Sequence, residues 1–373
     1  MRILYVTTIG ITMRFFESII ASLLQDGHEI HIACNSSEND LPAFYHAKNV
    51  TIHDLACVRS PLNRKNLVAI RQIKKIVSEQ HFDIVHCHTP IAAMCTRLAC
   101  RKVRKQGTKV IYTAHGFHFF KGAPWKNWML FYPIEKICSY FTDVLITINS
   151  EDYALAKKKM KARRIEYVRG VGIDTARIKS VTVDKNVKRQ EIGVPEDAFL
   201  LLSVGELNAN KNHESVIKTL GRIGNKKIHY AIAGTGDLKA HLEDVAAENG
   251  MRENLHLLGF RCDVYELLKA ADAYIHPSFR EGLPVSAMEA LASGLPIVCS
   301  EIRGNVDVVE NKKNGIWFSV NDLQSLQTAI TELFADRESK TIGATNSQDA
   351  EKFDFCEINK EMYRVYFGTD EKV

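Results

Sequence analysis

The chain has no apolar run near the roughly 20 residues that a bilayer-spanning helix needs. Its opening, MRILYVTTIG, carries one basic residue and a short apolar run with no small-residue cleavage site behind it. It reads as a first core strand rather than a signal peptide. The nine cysteines are odd in number, scattered, and form no C-x-x-C pair, so the expectation is reduced, buried thiols in a cytosolic protein. No G-x-G-x-x-G follows the first strand, and no acidic residue follows the second where a ribose partner would belong, which argues against a dinucleotide oxidoreductase. Asp-x-Asp occurs nowhere.

What is present suffices for two cores: 373 residues with 46% hydrophobic content are too many for one comfortable domain. The charge divides along the chain. Residues 1–180 carry 27 Lys+Arg against 14 Asp+Glu, a net of +13, whereas residues 181–373 carry 22 against 30, a net of −8. A basic half can serve nucleic acid, anionic lipid or phosphorylated substrates, and sign alone does not choose among them.

Apolar, β-rich runs alternate with amphipathic stretches: RILYVTT, TMRFFESIIASLLQDG, EIHIACN, then DIVHCHT, KVIYTAH and DVLITIN. This is the βαβ signature of a parallel sheet. After VRGVGIDTARIKS the pattern restarts with FLLLSVGEL, KIHYAIAG, LHLLG, AYIHPS and PIVCSE. The fold class is therefore α/β, with two doubly wound, Rossmann-like domains at residues 1–178 and 179–350. Residues 351–373, containing FCEINKEMYRVYF, form a last amphipathic helix that returns to the first domain. The hinge is expected around Gly170 to Lys179, with a ligand between the carboxyl ends of the two sheets.

The stretch FREGLPVSAMEALASGLP places Glu281 before a Gly-Leu-Pro turn and Glu289 within the helix that the turn opens. Pro284 suits the first helical turn and Gly294 the stop. Backbone amides near Gly282, Leu283, Pro284 and Val285 then lie at a positive dipole end, which can hold a diphosphate without a metal. Taken alone, two such glutamates are more often ordinary acidic residues near a helix start.

Their surroundings reverse that weighting. HPSFREGLP with its E-x7-E, ASGLPIVCSEIRGN, VTTIGITMRFF, YTAHGFHFFKGAPWKNW, TDVLITIN, GVGIDT, SVGELNANKN, GTGDL and LLGFRCDV together resemble the retaining glycosyltransferases of family 4, of the bacterial exopolysaccharide and capsule type. That resemblance spans nearly the whole chain and implies the GT-B architecture, two Rossmann-like domains facing each other across a cleft, the first on the acceptor side and the second binding a nucleotide-sugar. It implies that Glu281 touches donor sugar hydroxyls, that Glu289 accepts from the ribose, and that Lys211 neutralises the departing diphosphate. His115 would face the transferred sugar from the first domain, Gly10 would let the backbone approach a phosphate or the acceptor, and Arg261 would lie near base and phosphates. Many family members carry a basic residue where this chain has Glu206; Arg280 or Arg303, or the helix amides, would have to compensate.

Other features read more plainly. His118 is expected to pack, and His86 and His88 share one face of a strand with no third metal ligand spaced nearby, which makes them structural. Residues 117–141 hold nine aromatics interleaved with Lys121, Lys126 and Lys136, and residues 157–164, KKKMKARR, hold six positive charges. Core packing and a solvated helix face explain much of this, yet both suit a membrane interface. The expected activity is transfer of a sugar from a nucleotide donor, a UDP-N-acetylhexosamine or UDP-hexose, to a lipid-linked saccharide, with no metal or cofactor. The expected setting is the cytoplasmic face of the cell membrane, on an anionic surface, among other polysaccharide-synthesis proteins and without nucleic acid. A nucleotide-sugar epimerase and a non-catalytic partner subunit are the alternatives.

Overall fold

The computed structural model describes residues 1–36, 41–48, 50–61 and 63–368. Its described residues divide into two units, one of residues 1–171 with 355 onward and one of residues 172–354. These divisions fall a few residues from the 178 and 351 boundaries read from the pattern. The crossing at residue 171 lies in the Val-Gly repeat of VRGVG, where Gly170 and Gly172 both take left-handed φ, 88° and 82°, that other residues seldom adopt.

The first unit holds β1 (Arg2–Ile9), β2 (Glu29–Asn35), β3 (Thr51–Asp54), β4 (Ile84–His88), β5 (Lys109–Ala114), β6 (Val144–Thr147) and β7 (Arg164–Tyr167). They form one sheet in the order β3-β2-β1-β4-β5-β6-β7, with parallel pairing throughout. Alternate residues supply two layers: Leu4, Val6, Val85 and Cys87 enter one core, and Ile3, Tyr5, Ile84 and Ile111 the other. A strand buried on both faces needs apolar residues at nearly every position, which is why these runs read as continuous rather than alternating. The helix Phe355–Phe367 adds Ile358, Met362, Tyr363, Val365 and Tyr366 to the second layer.

The second unit repeats the plan with β8 (Phe199–Val204), β9 (Ile228–Ala233), β10 (Leu255–Gly259), β11 (Ala273–His276), β12 (Ile297–Ser300) and β13 (Gly315–Phe318), in the order β10-β9-β8-β11-β12-β13. Both sheets reverse strand order beside their first strand, at β1/β4 and β8/β11. Loops leaving those strand ends diverge to opposite faces and open a crevice for ligand.

Two expectations change. The stretch from Thr12 to Gly27 is not one helix: Gly10–Phe16 is a 3-10 segment without a side-chain cap, and the α-helix begins at Glu17. The tighter winding swings Phe16 inward onto His88, with ring centroids 4.1 Å apart, so a tertiary contact overrides the helical period. Among the described residues no cysteine forms a disulfide, but Cys262 and Cys356 are exposed rather than buried. Among the described residues, no helix is long and apolar enough to cross a membrane.

Candidate active site

In the second unit, the loops leaving β8 and β11 are laced together by asparagines. The Asn210 carbonyl accepts from the Phe279 amide (2.8 Å), the Asn210 side chain donates to the Arg280 carbonyl (3.0 Å), and the Asn212 side chain donates to the Pro277 carbonyl (3.1 Å). Asn208 caps the 3-10 turn Ala209–Lys211 by accepting from the Lys211 amide. Asn212 takes a left-handed φ of 54°, which asparagine tolerates better than most residues. The chain can therefore reverse sharply just after Lys211. Its ammonium donates to Glu281 Oε1 at 2.8 Å.

His276, buried at the end of β11, sits with Nε2 3.1 Å from the same Glu281 oxygen. Burial pushes the Glu281 carboxyl up, but the His276 hydrogen bond and the Lys211 ammonium outweigh it and hold the group well below the usual carboxylate range. Burial lowers His276 itself, so at neutral pH its ring is neutral and Lys211 is the cation opposite the carboxylate. The result is a fixed pair of opposite charges beside the switch point of the second sheet.

The helix that follows runs Val285–Ala292. Pro284 is its N-cap rather than a residue of its first turn and has no N–H to give, so the amides at this end begin with Val285. Among the described residues no side-chain hydrogen bond caps the helix start. Leu283 is buried, and Gly282 is packed closely by Gly304: a Cβ on Gly304 would stand 2.5 Å from the Gly282 carbonyl oxygen, so only glycine lets the loop after β12 lie there. Glu289, one helical turn beyond Val285, accepts from the Tyr265 hydroxyl at 3.3 Å.

The other residues singled out in this unit fall as follows. Arg261 is held by Asp263 and Glu191, so its charge is already matched by two carboxylates. Glu206 is exposed and accepts from the Asn208 side chain at 2.8 Å. Arg280 is exposed next to Glu281, while Arg303 is buried in the loop that packs on Gly282. The glycines of AGTGDL serve packing: a Cβ on Gly234 would lie 1.8 Å from the Gly205 carbonyl oxygen.

In the first unit, His115 follows β5 and brings its Nε2 within 3.1 Å of His88 Nδ1, at the end of β4. His86 is fully engaged, with Nδ1 2.7 Å from the Tyr366 hydroxyl and Nε2 2.8 Å from Thr113 Oγ1. Burial lowers His86 to about 3 and His115 to about 4, and holds His88 well below the ordinary histidine value, so all three are neutral at physiological pH. No three His, Cys, Asp or Glu side chains among the described residues are grouped to hold a metal ion. His118 stacks on Phe131 with centroids 4.5 Å apart. Gly10 starts the 3-10 segment without a left-handed φ.

Sequence reasoning passed over His276, Tyr265, His88 as a partner of His115, and the asparagines around Lys211. The density of asparagine in LNANKNH was the available signal, because asparagine favours both caps and left-handed backbone.

Residues 14–177 match the model described as Glycosyltransferase Family 4, and residues 184–349 match Glycosyl transferases group 1. EpsD of Bacillus subtilis (strain 168) is 35% identical over 356 residues, covering 93% of this chain and 92% of that protein. The chain belongs to glycosyltransferase family 4. A second relative in the family, the Escherichia coli UDP-Gal:alpha-D-GlcNAc-diphosphoundecaprenol alpha-1,3-galactosyltransferase, is 27% identical over 280 residues, 73% of this chain and 72% of that one. Among solved structures, Anabaena HepE in complex with UDP and glucose superposes with a TM-score of 0.80 at 19% identity, covering 99% of this chain and all of that one. The lipopolysaccharide glycosyltransferase WaaG gives 0.75 at 18%, over 98% and 100%. The fold is GT-B, and the protein is a glycosyltransferase.

Proposed function

We propose that this glycosyltransferase moves a sugar from a UDP-sugar, a UDP-hexose or UDP-N-acetylhexosamine, to a lipid-linked saccharide with retention of configuration. The observation that carries this reading is the Lys211–Glu281 pair beside the start of the helix Val285–Ala292. A glycosyl diphosphate needs positive charge at its leaving oxygens and an acceptor at its sugar hydroxyls, and the pair offers both within one side-chain length. As the bond from the anomeric carbon to the diphosphate oxygen breaks, negative charge grows on that oxygen. Lys211 and the amides from Val285 onward meet it there, where preorganised donors act most strongly. Glu281 holds the sugar hydroxyls, and Glu289 accepts from the ribose. The acceptor hydroxyl attacks from the face that the diphosphate leaves and passes its proton to the departing phosphate oxygen. His115 faces the transferred sugar as a neutral group.

The acceptor class draws support from the Escherichia coli relative, whose name specifies a diphosphoundecaprenol-linked sugar. It also fits the first unit's surface. On the helix Trp125–Ser139, Trp125 and Met129 are 64% and 65% exposed, and Ile137 is exposed as well. Lys136 of this helix donates to the Lys159 carbonyl, so the aromatic stretch and the lysine run 157–161 adjoin on one surface. Apolar side chains flanked by lysines suit peripheral attachment to an anionic leaflet on its cytoplasmic side.

The test is UDP release across a panel of UDP-sugars, with and without a lipid-linked saccharide, followed by anomeric analysis of the product. Acceptor-dependent release and a retained anomer are expected. Release of UDP or an epimer without acceptor would identify an epimerase, and an inverted anomer would overturn the stereochemistry.

A further inference from the structure

The ring of His88 has its place fixed on every side. It stacks on Tyr5 with centroids 5.8 Å apart and an interplanar angle of 11°, packs against Phe16 at 4.1 Å, and lies 4.0 Å from the His86 ring. His86 cannot turn to accommodate it, because both its nitrogens are committed to Tyr366 and Thr113. His88 is 1% exposed, its Nδ1 faces His115 Nε2 at 3.1 Å, and among the described residues its own Nε2 has no hydrogen-bond partner.

Two neutral imidazoles joined by one hydrogen bond have two tautomeric solutions. If His115 donated, His88 would have to carry its hydrogen on the buried Nε2, leaving a donor unpaired. If His88 donates from Nδ1, the unpaired atom is only an acceptor. Buried orphan N–H groups are rarer in proteins than under-satisfied acceptors, and the second solution wins. From this geometry we infer that His88 is a positioning residue that donates from Nδ1 to His115 Nε2, so that His115 carries its hydrogen on Nδ1 and meets the transferred sugar as a hydrogen-bond donor. His115 is then unable to serve as a base through Nε2, whose lone pair is taken. The inference rests on the reading of His115 as the group of the first unit that touches the sugar.

Imidazole ¹⁵N spectra of the histidine-labelled full chain, with the His115 ring assigned by its loss in His115→Gln, test it directly. Expected is a His115 ring protonated at Nδ1 in the wild type, moving toward Nε2 protonation in His88→Leu. Kinetics supply the second arm. The amide of His88→Asn can reproduce a donor at the Nδ1 position, so this variant should keep kcat within about threefold, whereas His88→Leu should lower kcat roughly 10- to 100-fold with donor KM little changed. A His115 ring protonated at Nε2 in the wild type would overturn the positioning role whatever the kinetics. Equal losses of kcat in His88→Asn and His88→Leu, tracking equal losses in melting temperature, would reduce His88 to a packing residue. Wild-type kcat in His115→Gln would instead remove the reading of His115 itself, a failure that the tautomer measurement leaves separate.

Discussion

The two units share one sheet plan, yet they arm it in opposite ways. At the switch point of the first sheet stand three histidines that burial keeps neutral. At the corresponding point of the second stand an ammonium and a carboxylate 2.8 Å apart, with a histidine beside them. Topology supplies the crevice in both, and the residues at the strand ends decide its electrostatics. A diphosphate carries charge that grows during departure and calls for fixed charge, whereas an acceptor hydroxyl and a sugar are neutral and call for oriented dipoles. The comparison fits the proposed reading, in which the donor lies on the second unit and the acceptor side on the first.

The sharpest way to break this comparison is to neutralise the charged side. Glu281→Ala should lower turnover roughly 10²-fold or more, since a charged contact made in the transition state is worth a few kcal/mol. Glu289→Ala should chiefly raise the donor KM. Unchanged rates in both variants would show that the charges of the second unit are structural.

Metal dependence comes next. If Lys211 and the helix amides meet the diphosphate as proposed, transfer should persist in excess EDTA. Activity that disappears with chelator and returns with Mn²⁺ or Mg²⁺ would mean that the pair does not carry the charge.

The neutral side is sharpened by pH. His115, lowered to about 4 by burial, should contribute no inflection to the kcat profile between about pH 5.5 and 8. An inflection near 6.5 that vanishes in His115→Gln would place a charged histidine there. The sign for stability follows from the same shift. A histidine with a lowered folded pKa takes its proton more readily in the unfolded chain, so folding stability falls as pH drops below about 6.5 toward the folded value. Thermal unfolding at pH 5 and pH 7 checks the direction.

A smaller effect is expected at the surface of the first unit. Replacing Lys157, Lys158, Lys159 and Lys161 by glutamate should reduce flotation with anionic liposomes, each basic residue near such a surface contributing about 1 kcal/mol, and about 0.5 M salt should release the electrostatic part. Equal flotation of variant and wild type would leave the lysines as a solubilising face. The smallest effect belongs to Arg261, whose guanidinium is matched by Asp263 and Glu191. Arg261→Ala should change the donor KM by no more than about threefold, and a tenfold rise would show that the cation serves the donor despite its partners.

Much of this was legible in the residues. Continuous apolar runs announced strands buried on both faces, and the pattern restarting at FLLLSVGEL announced the second sheet. Glu281 and Lys211 could be named, but not their direct pairing, because it depends on hydrogen bonds between Asn210, Asn212 and a loop some 70 positions away. The break at Phe16 was hidden for a similar reason: local periodicity favours one helix, and the contact with His88 decides otherwise. His86 and His88 looked alike as alternate residues on one strand. The structure separates them, since one is saturated by hydrogen bonds and the other is left to address His115.

The last helix, Phe355–Phe367, belongs to the core of the first unit, where the Tyr366 hydroxyl lies 2.6 Å from that of Tyr5. During synthesis this has a timing consequence. The ribosome finishes the strands of the first unit early, but the piece that closes their second layer emerges only after residues 172–354 have been made. At roughly 5–20 residues per second, that interval is on the order of 10–40 s. The nascent first unit waits through it with Tyr5, His86 and the Lys109 ammonium lacking the partners that Tyr366 supplies. The second unit is contiguous and can fold during that wait, so a chain shortened by its final helix would be damaged at its beginning rather than at its end.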